Sequence, residues 1–301
     1  MTTPRLSVVI AAHDVDAVIG TCLAALEPQC APHTEVIVAD SSTDSTADII
    51  RTRFPWVRLL HFDAPLTLPY LRGHGIASSR GEVIALLDPF SVAAPDWVER
   101  VCAAHAAVPN LVIGGAVDLH RPEAKSWCDW TIYFNEYALF MPPIQRGPTW
   151  IVPGSNVSYK RAALFDGAAS RYAVFWKTFV NWDIERSGSP LWLADDVLVE
   201  LNKPIAFGDF LRSRYFHGRC FAGMRMQQAH RGSRITRAAS TVLVPLILTM
   251  RWTIGFWTKG RHRLRFALTL PGQLALFVVW AWGEAWGYLR GSGRSCEHLF
   301  Y

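Results

Sequence analysis

The stretch LSVVIAAHD, residues 6–14, decides the fold. From Leu6 to Ala12 it is apolar save for Ser7, without the alternation of a strand that is wet on one face. Such a run suits a strand buried on both faces of a parallel sheet. The same pattern recurs outward along the chain. EVIVA (35–39), VRLLHF (57–62), EVIALL (82–87) and LVIGGAV (111–117) are further short apolar runs. Between them the spacing predicts helices over 15–26, 44–54, 71–80 and 96–107. Val15, Val18, Ile19, Leu23 and Leu26 carry the three-and-four spacing of a buried helix face. Strands alternating with helices give the α/β class, doubly wound in at least this half.

The 301 residues fit one large domain or two small ones, long enough to fold without a metal or disulfide. Half the residues are apolar, which excludes a disordered chain. The net charge of +5 hides a division. From Phe210 to Gly283 there is no Asp or Glu, but 12 Lys and Arg. An acidic part is therefore joined to a basic, apolar one. Basic residues interleaved with long apolar runs suit a bilayer surface and argue against nucleic acid as the partner. The six cysteines form no C-x-x-C pair and fit no zinc pattern. They are expected as reduced thiols, in a catalytic part that faces the cytosol. No signal peptide is read at the start.

Beyond residue 120 the chain turns aromatic. Trp127, Trp130, Tyr133, Phe134, Tyr137 and Phe140 recur at helical spacing, and Met141-Pro142-Pro143 ends that helix. Pro153-Gly154-Ser155-Asn156 signals a turn, with helices expected from Lys160 and over 175–186. A third region begins near Arg212, with seven arginines between 212 and 237. An apolar stretch of 13 residues (238–250) follows, then the basic loop 259–265. A second apolar stretch of 17 residues (266–282) ends among Trp280, Trp282 and Trp286. The expected domains are 1–211, with halves 1–120 and 121–211, and a membrane-associated helical region 212–301. Both apolar stretches are short for a span, which needs about 20 residues. Basic segments on both sides of the first favour the cytoplasmic face. The stretches are expected to lie in the interface of an anionic membrane, the alternative being a two-helix hairpin across it.

In open α/β sheets, ligands gather at the carboxyl ends of the strands. Here those ends carry His13 and Asp14, Asp40 and Asp44, and Asp88. Asp44 precedes a helix and also reads as its N-cap.

The segments SVVIAAHD, EVIVADSSTDST, GIASSRGEVIALLD and PDWVER, in that order, resemble family 2 glycosyltransferases. VPGSNVSYKRAAL (152–164) resembles the acceptor-side segment of that family, so the likeness runs over residues 5–220. The apolar C-terminal pair is similar to the family's membrane-attached branch. The resemblance implies a GT-A fold with a doubly wound mixed sheet. It also implies a nucleotide-diphosphate sugar as donor, transferred with inversion to a lipid-linked or cell-envelope glycan. By position, Ala11 and His13 would line the base pocket. Asp40 would accept from the base, and Arg72 would lie near base or diphosphate. Gly154 and Asn156 would face the acceptor. Asp88 matches the first acid of a D-x-D motif that holds magnesium or manganese, with His217 as a further ligand.

Two positions depart from that pattern. Phe90 replaces the second acid of D-x-D and cannot ligate a metal. Lys177 stands where the base that deprotonates the acceptor is expected, and a protonated Lys cannot accept a proton. Asp183 and Glu185 on the same predicted helix, and Asp195-Asp196 beyond it, are the remaining carboxylates. Each also reads as a solvated charge. An enzyme is the leading expectation. The alternative is a degenerate GT-A protein that binds a nucleotide sugar or a partner enzyme without catalysis.

Overall fold

The computed structural model describes residues 4–30, 33–226 and 231–300. They form two compact units. One comprises Met1–His120 and Phe140–Lys203; the other comprises Arg121–Leu139 and Pro204–Tyr301.

The first unit opens with β1 (Leu6–Ala12), every residue of which is buried. Then come α1 (Asp16–Leu26), β2 (Thr34–Asp40), α2 (Thr46–Arg53), β3 (Arg58–His61), α3 (Leu68–Ser78) and β4 (Val83–Leu87). β1 pairs in parallel with both β2 and β4, and β2 with β3. This core follows the predicted strands and helices to within three residues at each end. The reason is physical: the central strands β1 and β4 are buried on both faces and therefore nearly all apolar, and that signal is local.

The unit continues with β5 (Ser91–Ala93), α4 (Trp97–Ala107) and β6 (Val112–Leu119). In unit two, α5 (Trp127–Tyr137) realises the aromatic helix. The first unit then resumes with β7 (Gly147–Thr149), β8 (Asn156–Lys160), α6 (Arg161–Leu164), β9 (Phe165–Asp166), β10 (Ala169–Ser170), α7 (Lys177–Arg186) and β11 (Leu191–Leu201). The large sheet has the order β3-β2-β1-β4-β8-β6-β11-β5, with β7 on β11. β8 runs antiparallel between β4 and β6, so the sheet is mixed.

Among the described residues six strands lie outside the sequence reading: the short β5, β7, β9 and β10, and the longer β8 and β11. β8 is buried, yet it carries Asn156 and Ser158, whose polar groups bond within the core. The helix expected from Lys160 is only the single turn α6. β11 contains a bulge between Ala194 and Leu198, which holds Asp195 and Asp196 and interrupts the apolar pattern.

In the second unit, α8 (Phe207–Arg225) packs on α11 (Arg263–Arg290), with α9 (Arg231–Ser240) and α10 (Val244–Trp257) between them in sequence. Residues 121–139, expected with the acceptor half of the catalytic domain, belong to this unit. Trp127 Nε1 donates to Leu268 O at 3.0 Å. The faces of α8 and α11 meet at glycines: a Cβ on Gly283 would lie 2.2 Å from Tyr215 O, and one on Gly218 2.4 Å from Trp280 O. Cys220 and Cys296 form a disulfide, their Cα atoms 5.1 Å apart. This corrects the expectation of six free thiols. The two cysteines lie 76 residues apart and give no local signal of pairing.

Two helical stretches, Ser233–Trp257 and Arg263–Arg290, are long and apolar enough to cross a membrane. Leu246, Ile247, Met250 and Ile254 of α10 are exposed, as are Leu264, Leu268 and Trp282 of α11.

Candidate functional site

The site is built at the carboxyl ends of β1, β2 and β4. Ala11 is buried at the end of β1, packed with Ala39 and Leu71. Next to it, His13 Nδ1 lies 3.0 Å from Ser41 O and 3.2 Å from Ser41 Oγ. Asp14 takes the left-handed conformation, with φ 48°. There its carboxylate accepts from Thr43 N at 2.7 Å, while its own N–H donates to Ser42 Oγ at 2.8 Å. These bonds tie the loop after β1 to the loop after β2.

Asp44 stands one residue before the N-cap position of α2, Ser45, and accepts from Thr46 N, the first residue of the helix, at 2.9 Å. Burial pushes its pKa up, but hydrogen bonds from Thr46 and Asp16 outweigh this and hold the carboxyl below its usual range. Asp44 is thereby accounted for as structure. Asp40 is fully buried and bonded to Ser42 and His61.

Asp88 follows β4, its side chain 19% exposed. Arg72 of α3 donates to it through Nη2 at 2.8 Å. α3 can approach the sheet because Gly75 lies against Val9 of β1, where a Cβ would come within 2.4 Å of Cγ1. Beneath Asp88, Cys22 Sγ lies 3.8 Å from its carbonyl oxygen. Burial, then the Asp88 charge, pushes the Cys22 thiol up to about 12, so it stays protonated.

Phe90 continues the turn. Its carbonyl accepts from Asn202 N at 2.7 Å, and Lys203 Nζ stands 5.6 Å from its ring centroid. The donor set does not fit a resident divalent ion. Asp88 is paired with a guanidinium and Phe90 offers no donor. Among the described residues no group of three His, Cys, Asp or Glu is placed to hold a metal. His217 lies on α8 in the second unit, its ring 5.2 Å from that of Trp280.

On the acceptor side the predicted residues divide. Asn156 is buried, accepts from Trp97 Nε1 at 3.0 Å and donates to Ala116 O and Val197 O at 2.8 and 2.9 Å. Its amide is engaged in joining β8, β6 and the β11 bulge. Gly154 faces Lys177, whose Nζ would lie 3.8 Å from a Cβ placed there. Lys177 begins α7 and donates to Val152 O at 2.7 Å. Asp183, on the same helix, is 54% exposed and paired with Arg186 at 2.7 Å. Asp195 and Asp196 are held by Arg146, and Asp196 also by Arg100.

The sequence reading passed over His61, the last residue of β3. Only the register β2–β3, which sets it opposite Asp40, brings it to this edge.

The family described as Glycosyl transferase family 2 matches residues 7–165. EpsH of Bacillus subtilis (strain 168), a candidate glycosyltransferase by its name, is 31% identical over 120 residues, 38% of this chain and 34% of that protein. Validoxylamine A glucosyltransferase of Streptomyces hygroscopicus subsp. limoneus is 34% identical over 119 residues, 37% of this chain and 26% of that protein. The matched part thus spans about a third or less of these relatives. Among solved structures, S. aureus TarS 1–349 has a TM-score of 0.50 at 14% identity, over 70% of this chain and 63% of its own. It supports the GT-A fold, a mixed α/β sheet.

Proposed function

Given that the chain belongs to glycosyl transferase family 2, we propose that it moves a sugar from a nucleotide-diphosphate donor onto a lipid-linked or cell-envelope glycan, with inversion. One observation carries this reading: the Arg72–Asp88 pair at the end of β4, beside the strand ends that bear Ala11, His13 and Asp40. That edge is where open α/β sheets bind ligands. A guanidinium there suits a diphosphate, since its planar fork matches phosphate oxygens.

In the transfer, the acceptor oxygen forms a bond to the anomeric carbon. The bond from that carbon to the diphosphate breaks, and its electron pair stays on the diphosphate. Arg72 offsets the charge that develops, and Lys177 beside Gly154 adds a second cation. The hydroxyl proton passes to Asp183, the exposed carboxylate of α7. The exposed apolar faces of α10 and α11, with the basic loop between them, would seat the second unit in anionic lipid at the cytoplasmic face.

One observation favours a second reading, binding without turnover: the expected base position is held by Lys177, which is tied to a backbone carbonyl. The test is incubation of the purified protein with labelled UDP- and GDP-sugars and a lipid extract. Transfer of label to the lipid fraction, lost in Arg72→Ala, is expected. Nucleotide binding with no release from any donor establishes the second reading, and absence of both overturns the proposal.

A further inference from the structure

Asp40 is the residue that the family resemblance assigns to the nucleobase, yet its side chain has 0% exposure. Both carboxylate oxygens are occupied from within the protein. Oδ1 accepts from the backbone N–H of Ser42 at 3.2 Å and from its hydroxyl. Oδ2 lies 2.6 Å from His61 Nδ1. A carboxylate so enclosed presents no face to a ligand.

What it does present is an oriented imidazole. An ionised carboxylate only accepts, so the proton of that 2.6 Å contact resides on His61 Nδ1. In the neutral ring this makes Nε2 an acceptor. His61 is 27% exposed, and Nε2 makes no hydrogen bond among the described residues; Asp63 approaches it only to 3.9 Å. The strand register sets His61 directly beside Asp40 at the sheet's carboxyl edge. The segment after it is fixed on the neighbouring strand end, because Leu66 N donates to Ser41 Oγ at 3.2 Å. Phe62 packs with Ala11 and Leu71, which line the same edge.

We infer that His61 Nε2, and not the Asp40 carboxylate, accepts the ring N–H of the donor's nucleobase, with Asp40 as the residue that positions it. This rests on the reading that the chain binds a nucleotide-diphosphate sugar. The chemistry selects bases whose ring nitrogen carries a hydrogen, as uracil does at N3 and guanine at N1. Cytosine and adenine present an acceptor at the matching position, and two acceptors facing each other leave both unpaired. An Nε2 acceptor therefore favours uridine and guanosine diphosphates over cytidine and adenosine diphosphates.

The experiment is calorimetric titration of the full chain at pH 8 with UDP, GDP, CDP and ADP. UDP or GDP is expected to bind at least about tenfold more tightly than CDP and ADP, in line with discrimination by a single buried hydrogen bond. His61→Ala is expected to lose that preference along with the affinity, while His61→Gln, which keeps an acceptor oxygen, recovers part of both. Nitrogen NMR of the wild-type imidazole should find the proton on Nδ1, a readout that does not depend on any variant folding. Affinity and selectivity unchanged in a folded His61→Ala protein overturn this inference alone. So does a proton on Nε2, or a preference for CDP or ADP. If the wild type binds none of the four, both this inference and the nucleotide-sugar reading fail.

Discussion

Glu35, at the amino end of the sheet and far from the ligand edge in register, accepts from Ser7 Oγ and Arg80 N at 2.6 Å each, with the Arg80 guanidinium at 3.0 Å. Burial pushes its pKa up, but the bonds from Ser7 and Arg80 outweigh this and hold the carboxyl below its usual range. A group with a depressed folded pKa contributes stability that is present above its unfolded pKa. That stability is lost as pH falls through the folded value. Glu35→Gln is therefore expected to destabilise by about 1–3 kcal/mol at pH 7, as for other charged hydrogen-bonding groups. The difference from wild type should shrink as pH falls below the ordinary carboxylate range. Urea melts at pH 7 and below pH 4 measure both, and a difference independent of pH counts against the assignment. Phe90 gives a second prediction at this scale. With no donor there and Asp88 paired to Arg72, the nucleotide-free protein should contain no stoichiometric divalent metal. Elemental analysis finding one ion per chain after gel filtration contradicts it. The placement of Asp88 at the carboxyl end of a strand was legible in sequence, because β4 is a contiguous apolar run; its pairing with Arg72 of α3 was not. The saturation of Asp40 and Asn156 was not, since each finds its partners on other strands.

Among the elements, α8 and α11 show how close packing is written in small residues. Gly283 and Gly287 are one turn apart on α11, and a Cβ on either would strike the backbone of α8, at Tyr215 O and Arg219 O. Such spacing lets two helix backbones approach closely. Gly283→Leu is expected to force the pair apart and cost about 1–3 kcal/mol or more, the range for overpacking. Its mark would be a lower melting temperature in detergent, and an unchanged melt would refute the close contact. β11 makes the converse point. Its bulge places Asp195 and Asp196 on Arg146 and Arg100, so a pair of acids that reads as a loop in sequence lies within a strand.

For the whole molecule, charge and apolar surface are divided along the chain, and the second unit carries the basic and apolar share. Its two helical stretches are 25 and 28 residues long, beyond the 13 and 17 apolar residues counted in sequence, because flanking residues extend each helix. Both exceed the about 20 residues that a span requires. Under the proposed orientation the basic loop between them lies on the cytoplasmic side. Thr258 is exposed next to that loop, and the Cys220–Cys296 disulfide leaves four free cysteines to replace. With those four replaced, Thr258→Cys in intact cells is expected to resist an impermeant thiol reagent and to react after lysis. Labelling before lysis would establish the hairpin across the membrane.

The sequence by itself determined the α/β class, the parallel core from β1 to β4 and the family, because buried strands and their terminal acids are local signals carried by contiguous residues. It also determined the presence of a basic, apolar C-terminal region. Tertiary structure alone decided that β8 enters antiparallel, that residues 121–139 join the second unit, and that Cys220 pairs with Cys296. It likewise decided that the Asp40 carboxylate turns inward onto Ser42 and His61. Each of these depends on strand register or on helices meeting across long separations. The free energy of such contacts belongs to pairs of residues, and neither member of a pair reveals it alone.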